Sequence, residues 1–482
     1  KLRMLAALCV EVMTKTDPQL FERVVSGLNA LIPPKDPATA RTLASLGDDI
    51  IERLPHSSVA LSENEAAATV QTAGLVGGED AMAVIASFKE DSRAKVQRAR
   101  IAAWSYFDPA DYAASCFGLR SEGWDVILTD PSLIKGLDHV RTMASAHYRF
   151  EGPLAGTALL NVENYSVVRS VSLSNNSTLT NLDFLKPLSE LRYLGLERCW
   201  HISDYEGIRG CENLETLVLR TGYADADISV FENLRQLRRL TLNADMMQSV
   251  ESVGRFLPNL RELDLSGYVE FSEFARLGPW PQLVSLTLSE CESLRQLTGL
   301  PSDSLRQLTV SDCVLDTLAN VADARELREL SLADLEHLSD FSFVRSLTKL
   351  ESIKLTRCGI EDLNVLSHAQ DLKYVSVSAC DDLGDVYGLI SLPELQVVEL
   401  QTTVYDQHDV FAPVVEELRQ RGIEVRVDFS GSPFEDNPPE FDTSMDHDAV
   451  ESLDLDSPFV DYDDSYDVEA RPFYYIDPGD GS

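Results

Sequence analysis

Cationic side chains occupy seven of eleven positions that recur at intervals of 22 or 23 residues along the chain. A guanidinium presents a planar fork of N–H donors, so a row of arginines suits bidentate binding of carboxylates or phosphates. The spacing predicts a docking strip for an acidic or phosphorylated partner. A solvated column at the edge of the sheet, spaced to offset the acids, fits the same positions, and both interpretations stay open here. The seven residues are Arg169, Arg192, Arg238, Arg261, Arg306, Arg328 and Lys373.

Three further arginines add cations to the first half of this row, and two tyrosines each directly follow one of its members. Tyr and Arg are enriched among the residues that dominate binding energy at protein interfaces. We therefore predict a partner-binding set of twelve residues. The additional five are Tyr193, Arg198, Arg220, Arg239 and Tyr374.

Five of the eight cysteines, including Cys199, also share one position of the period. A small polar side chain there is expected to turn inward after a strand and bond to backbone groups. Cys291 with Cys313, and Cys358 with Cys380, should be neighbours in adjacent coils, which makes a disulfide or metal site conceivable. The sequence has no C-x-x-C pair and no His at ligand spacing, so it favours a buried, reduced ladder. Free thiols fit a reducing cytoplasm.

No catalytic motif accompanies these residues. The sequence lacks G-x-x-x-x-G-K-[ST], G-x-S-x-G, H-E-x-x-H and an EF-hand loop. His201, His337 and His368 are predicted to be solvated. Pairs of acids are too frequent in so acidic a chain to indicate catalysis. We predict no catalytic, cofactor-binding or metal-binding residue, and no enzyme activity, for this chain.

The element that positions all these side chains is the pattern L-x-x-L-x-L, repeated eleven times. Each unit predicts a short strand and a return arc that cannot bury its apolar face alone. Stacked units share one core, so the pattern predicts a curved leucine-rich solenoid with a parallel concave sheet. The pattern starts at Val168, Leu191, Leu214, Leu237, Leu260, Leu283, Leu305, Leu327, Leu350, Leu372 and Leu395.

The x positions, including the cationic second one, are predicted on the concave face of the sheet. The return arcs are too short for full helices and predict 3₁₀ turns or extended chain. Two degenerate opening repeats are expected at residues 125–128 and 148–150. A longer helix over residues 414–421 and a strand over 423–427 are expected to close the array. Residues 121–428 thus predict about eleven regular and two degenerate repeats.

Residues 1–120 show apolar side chains at helical spacing, for example over residues 5–12, 21–31 and 43–54. Breaks fall at Pro33-Pro34, Pro55 and Gly77-Gly78, which predicts a HEAT-like bundle of helices 12 to 20 residues long. Asp108 is expected to cap a short helix that begins at Pro109.

The net charge of the 482 residues is −38, from 41 Lys and Arg against 79 Asp and Glu. Such a balance argues against general nucleic-acid binding, and no apolar run is long enough for a membrane span. Residues 429–482 carry sixteen acids and one base, Arg471, which predicts a disordered acidic tail. One hypothesis is that this tail covers the arginine row, and the alternative is a solubilising tail.

The helical segment resembles the stretch between the NTPase core and the repeats of bacterial, especially actinobacterial, NACHT-type STAND proteins. The most specific part is an aromatic junction just before the repeats. The resemblance covers about 120 residues directly, and the repeats by domain order. It rests on LIPP (31–34), LASLGD (43–48), LVGGEDA (75–81), DSRAKV (91–96), WSYFDP (104–109) and YA (112–113).

This resemblance implies the sensor part of a cytoplasmic switch that acts in antiphage defence. ATP and Mg²⁺ would bind only in a missing upstream NTPase domain, and a protein ligand on the repeats would release oligomerisation. The chain begins at Lys1, which suggests a fragment or a processed form. The alternatives are a stand-alone leucine-rich scaffold or regulatory subunit, and a secreted adhesion protein, which the unpaired cysteines disfavour.

Overall fold

The structure is a computed structural model. It describes residues 29–117, 124–140, 143–160, 162, 165–221, 228–243, 251–267, 271–402 and 407–428. The predicted helix over residues 5–12, residues 21–28 of the predicted helix over 21–31, and the predicted tail over 429–482 lie outside the described residues.

The N-terminal part of the described chain is helical, as predicted. Its five α-helices are 8 to 14 residues long, and four of them are shorter than the predicted 12 to 20. Asp108 caps the last of them by accepting bonds from the N–H groups of Ala110 and Asp111, at 3.0 and 3.1 Å. The helices are α1 Pro37–Ala44, α2 Glu63–Val76, α3 Gly78–Ala86, α4 Ala94–Ala103 and α5 Pro109–Cys116.

The apolar run over residues 43–54 is not one helix. Helix α1 ends at Ala44, and a 3₁₀ helix, Gly47–Arg53, follows. Gly47 has a φ of +67°, in the left-handed region that only glycine adopts freely, and it separates the two segments. Each of the two segments buries one face, with Leu43 in the first and Ile50 in the second. The apolar residues therefore keep a helical spacing across the break.

Fourteen parallel strands form one sheet in strict chain order, which confirms the leucine-rich solenoid architecture. The first two strands lie where the two opening repeats are predicted. The strands are β1 Trp124–Leu128, β2 Met143–Glu151, β3 Val168–Ser174, β4 Tyr193–Glu197, β5 Thr216–Arg220, β6 Arg239–Asn243, β7 Glu262–Ser266, β8 Ser285–Ser289, β9 Gln307–Ser311, β10 Glu329–Leu335, β11 Ser352–Cys358, β12 Tyr374–Ser378, β13 Val397–Gln401 and β14 Glu424–Asp428.

Leucine fixes the register of this sheet. Leu240, Leu263 and Leu286 pair across three successive strands, and each is at most 2% exposed. A slip of one residue would turn every such side chain to the solvent, so the register is strongly specified. The core is therefore a continuous stack of leucines behind the sheet.

The return arcs are 3₁₀ turns or extended chain, as predicted, and the described arc between β8 and β9 has no 3₁₀ helix. Several begin at an Asp whose carboxylate accepts a backbone N–H two residues on, as Asp204 does from Glu206 at 2.9 Å. The 3₁₀ helices after β1 are Pro131–His139, Gly156–Leu160, Tyr165–Val167, Asp183–Leu185, Glu206–Gly210, Ile228–Phe231, Val253–Arg255, Phe274–Leu277, Ala319–Asp323, Ser342–Ser346, Leu363–His368 and Tyr387–Ser391.

The closing helix is longer than predicted. Helix α6 is Gln407–Gln420 and contains Pro413, whereas the sequence pattern placed its start at residue 414. The prediction started the helix after the proline, but Pro413 is the seventh residue of the helix, which continues through it although one interior N–H donor is missing. Strand β14 follows it and pairs in register with β13.

The helical part joins the repeats through an aromatic contact. The Trp104 indole N–H donates to the Pro109 carbonyl at 2.8 Å. A Cβ on Gly136, in the first 3₁₀ helix after β1, would lie 2.4 Å from the Trp104 ring. Only glycine leaves room for that ring, so this position fixes how α5 meets the first coil.

Candidate protein-binding face of the sheet

The exposed face of the sheet carries the third, fifth and seventh residues of each repeat, counted from its first leucine. In β7 these are Glu262, Asp264 and Ser266, which alternate with buried Leu263 and Leu265. The second position was predicted on this face and lies elsewhere. Most strands begin at the third position, so the second residue lies at the edge where strands start.

Backbone hydrogen bonds run unbroken along this edge. The Arg192 N–H donates to the Arg169 carbonyl at 2.8 Å, and Glu215 donates to Arg192 at the same distance. The same bond links the second residues of all later repeats to Gln396. The second position is therefore a fixed row at the spacing of the strands, about 4.8 Å.

Most of the cations toward the two ends of the row are paired with acids. Arg169 contacts Glu190 at 2.7 Å, and Arg192 contacts Glu215 at 3.4 Å. Farther on, Glu351 bonds both Arg328 and Lys373, each at 2.8 Å. Glu215 and Glu351 are themselves second-position residues.

The three remaining members are Arg238, Arg261 and Arg306. Each is half-buried. Among the described residues, none of the three has a side-chain hydrogen bond or ion pair. The structure thus divides a row that the sequence presents as uniform into paired and unpaired parts.

The added arginines lie on the exposed face or just beyond it. Arg239 is the first residue of β6 and contacts Glu262 at 3.0 Å. Arg220, the last residue of β5, contacts Asp264 at 3.3 Å across two strands. Arg198 follows β4 and has a φ of +53°.

That left-handed conformation recurs at the eighth position of the repeat, and no sequence signal predicted it. The residue turns the chain inward, and its N–H bonds the next strand, as Asp312 does to the Ala333 carbonyl at 3.1 Å. Non-glycine residues with a positive φ at this position are Asn175, Arg198, Glu290, Asp312, Asp334, Arg357 and Ala379.

The two tyrosines differ in accessibility. Tyr193 is half-buried, and its ring lies over Gly195. Tyr374 is only 6% exposed. Its hydroxyl donates to Glu399 at 2.5 Å, and the Lys354 ammonium lies 5.8 Å from the ring centre. Burial, together with this carboxylate, raises the pKa of Tyr374 to about 12. Little of the Tyr374 ring is accessible to a partner, so its burial does not favour the predicted role of Tyr374 as an interface anchor.

The repeated cysteines are buried thiols that bond to backbone, as predicted. The Cys358 thiol donates to the Leu332 carbonyl at 3.4 Å, and the Cys313 thiol donates to the Ser311 carbonyl at 3.2 Å. The Cys358 N–H also donates to the Cys380 sulfur at 3.4 Å. Asn176 fills the same position in its repeat and accepts the N–H groups of Thr178 and Leu179.

The middle of the exposed face is rich in small hydroxyl groups, a feature that the sequence analysis missed. Thr287 and Thr309 pair directly at the fifth position of β8 and β9, with Ser289 and Ser311 beside them at the seventh. Their alternation with leucine was visible in the sequence. Such a surface has few long side chains to displace when a partner docks.

The rest of the described surface offers little for small ligands. No group of three or more His, Cys, Asp or Glu in the described chain could hold a metal ion. An open pocket of about 480 Å³ lies among the return arcs, between Arg255, Arg276 and Gly299. His201, His337 and His368 are exposed, as predicted. None of the described helices is long and apolar enough to cross a bilayer.

No protein-family model matches the chain. A stretch of 150 residues is 27% identical to disease resistance protein RPP2A of Arabidopsis thaliana. That match covers 30% of this chain and spans only 11% of the length of RPP2A.

Solved structures of bacterial leucine-rich-repeat proteins are similar to 61% of the chain at 16% identity. Internalin InlF of Listeria monocytogenes matches with a TM-score of 0.39 over 88% of its own chain. The functional domain of InlJ from the same organism, which includes a cysteine ladder, matches with a TM-score of 0.42 over 60% of its chain.

Proposed function

We propose that this chain is a non-enzymatic protein-interaction module whose binding surface is the exposed face of the sheet. The size of that face carries the proposal. Fourteen strands at 4.8 Å spacing, each about 17 Å long, make a face of about 1,000 Å². A stable interface needs about 800 Å² from each partner. A protein surface fills such a face, whereas a small ligand would leave most of it exposed.

Site-specific photocrosslinking in native host cells tests this proposal. A photoreactive amino acid replaces Thr287 or Thr309 on the exposed face, and Ser302 or Ser339 on the return arcs serves as the control. We expect one protein to crosslink from both face positions and from neither arc position. Crosslinking of that protein from the arcs alone would refute the proposal.

A blocking pair completes the test. T287R/T309R places two long side chains on the middle of the face and is expected to abolish complex formation. S302R/S339R adds the same charge to exposed arc positions and is expected to leave the complex intact. Circular dichroism of both variants verifies that the fold is kept.

We further propose that the module is the sensor of a cytoplasmic NACHT-type STAND NTPase in defence signalling. The residues of the helical segment and the order of helices before repeats support this context, and similarity to a disease resistance protein agrees with it. Buried free thiols agree with a reducing compartment. ATP and Mg²⁺ would belong to an upstream domain, and ligand binding would release oligomerisation.

The coding sequence upstream of Lys1 separates this context from the alternative. A reading frame that continues through G-x-x-x-x-G-K-[ST] supports the NTPase sensor, and ligand-stimulated ATP hydrolysis by the extended protein then tests it. A start codon directly before Lys1 supports a stand-alone scaffold. Either outcome leaves the proposed binding face in place.

A further inference from the structure

We infer that Arg238, Arg261 and Arg306, here called the basic edge, bind a carboxylate-rich segment of the partner protein. This inference rests on the proposed interaction function and adds the chemistry of the partner. It arises from an asymmetry in charge pairing along the row of second-position residues.

Pairing along the row follows a rule of position. An acid that reaches a second-position cation comes from an adjacent coil. It is either the residue before the first leucine of the next coil or the second-position residue of the next or the preceding coil, as Glu351 is for Lys373. Glu190 uses the first route to Arg169, at 2.7 Å. Glu215 uses the second route to Arg192.

No acid in these places pairs with an arginine of the basic edge. For Arg238 the next coil supplies Asn259 and Arg261, and the acid of the preceding coil, Glu215, contacts Arg192 at 3.4 Å instead. For Arg261 the next coil supplies Gln282 and Val284. Arg306 faces Glu326, but that carboxylate is bonded by Lys349 at 2.6 Å.

The local charge contrasts with that of the flank. The residues before the first leucine and at the second and third positions contain four cations and one anion over β6–β9, although the chain has a charge of −38. Over β10–β13 the same three positions contain three cations and five anions. Charges beyond about 8 Å are screened at physiological salt, so the local excess governs what binds.

The dimensions of the basic edge favour a short acidic segment over a nucleic acid. Arg238 and Arg261 lie on adjacent strands and Arg306 two strands farther, so the cations span about 14 Å. Duplex DNA has a phosphate charge about every 1.7 Å and would extend onto the anionic flank. A peptide with a few acids can end where the cations end.

Fluorescence anisotropy with a labelled (Glu-Ser)₆ peptide and the full 482-residue chain at low salt tests the inference. We expect R238Q/R261Q/R306Q to weaken binding about tenfold, because three exposed ion pairs each contribute a few-fold. The control K89Q/K186Q/R345Q removes the same charge from an exposed turn after α3 and from exposed arc positions, and it should stay within about twofold. If the triple variant misfolds, R261Q alone should show a loss of about threefold.

The inference would be overturned if the wild type did not bind (Glu-Ser)₆, or if both triple variants lost affinity equally. It would also be overturned if the wild type bound (Gln-Ser)₆ as well as (Glu-Ser)₆, or bound single-stranded DNA of twelve nucleotides more tightly than (Glu-Ser)₆. These outcomes differ from failure of the proposed function. If T287R/T309R abolishes the cellular complex while R238Q/R261Q/R306Q does not, the binding face stands and only the acidic partner chemistry fails.

Discussion

The ring of Tyr193 occupies the space that a side chain at Gly195 would fill. A Cβ built on Gly195 would lie 2.8 Å from the Tyr193 hydroxyl oxygen and 3.0 Å from a ring carbon. Both residues are on β4 and two positions apart, so they share the exposed face. The glycine thereby lets a large aromatic side chain lie flat on the sheet.

We predict that G195A changes the surface more than the stability. The ring of Tyr193 can move, so the cost in the free energy of unfolding is expected to stay below about 1 kcal/mol. G207A is the matched contrast, because a Cβ there would lie 2.0 Å from the Leu182 carbonyl oxygen. Backbone cannot yield as a side chain does, and a loss of about 2 kcal/mol or more is expected. Urea unfolding of both variants measures the difference, and equal losses would contradict this account.

We predict that Asp91 links stability to pH in the helical part. Its side chain is 4% exposed and contacts Arg93 at 2.5 Å. Burial opposes ionisation of the carboxyl, but hydrogen bonds from Arg93 outweigh it and hold the pKa of Asp91 below its usual 3.8. A lowered folded-state pKa means that the stabilisation is complete above the unfolded value and is lost as pH falls through the folded value.

D91N is therefore expected to cost about 2 kcal/mol at pH 7 and less below pH 4, because the substitution removes the charge-assisted hydrogen bonds between Arg93 and the buried carboxylate. Thermal unfolding of D91N and of the wild type between pH 2 and pH 7 measures the loss of stability at neutral and at acid pH. D111N, at an exposed first-turn position of α5, is the control. A pH-independent difference between D91N and wild type would argue against this role.

We predict that E351Q extends the basic edge. Glu351 bonds Arg328 and Lys373 together, and the amide of Gln cannot neutralise either cation. Affinity for (Glu-Ser)₆ is expected to rise about threefold, in the range of exposed ion pairs. E326Q at the neighbouring position should act in the same direction by freeing Lys349. Unchanged affinity in E351Q would indicate that cations in this half of the row do not contact the peptide.

We predict that the described thiols resist modification in the folded protein. All seven are buried, and burial raises the pKa of Cys211 and of Cys116 to about 12. Hydrogen bonds with Cys291 and Cys358 lower the pKa of Cys313 and of Cys380, so for these two thiols the barrier to reaction is burial. Because the thiolate is the reactive form, reaction with a disulfide reagent at pH 8 should be slow until denaturant is added. A C9S variant removes the one cysteine outside the described residues. Rapid reaction of several thiols without denaturant would rule out the buried ladder.

The sequence predicted the strands of the solenoid because the leucines at alternate positions are the residues that each strand buries. It also predicted the cap at Asp108, since capping depends on residues that are close in the chain. The concave-face interpretation of the second-position row counted alternation from the leucine, whereas the strand begins two residues later. The row therefore lies at the edge of the sheet, where the alternative interpretation put it. Glu215 and Glu351 are members of the same second-position row as the arginines. Their ion pairs with cations of adjacent coils could therefore have been predicted from the sequence.

Other features depend on residues that the chain brings together from different coils. Tyr374 is buried by Lys354 and Glu399, which lie on the strands either side of it. The left-handed eighth position has no common residue type, since Asn, Arg, Glu, Asp and Ala all occupy it. The burial of Tyr374 and the left-handed turn both depend on neighbouring coils, which a pattern within one repeat does not describe.

The strict order of the fourteen strands has a consequence for how such a molecule can evolve. Each strand pairs only with the strands before and after it in the chain. Duplication or loss of one 22- or 23-residue unit by recombination therefore creates a single new junction and leaves every other coil in its old surroundings. Lineages can lengthen, shorten or reshuffle the recognition surface one coil at a time without inventing a new core.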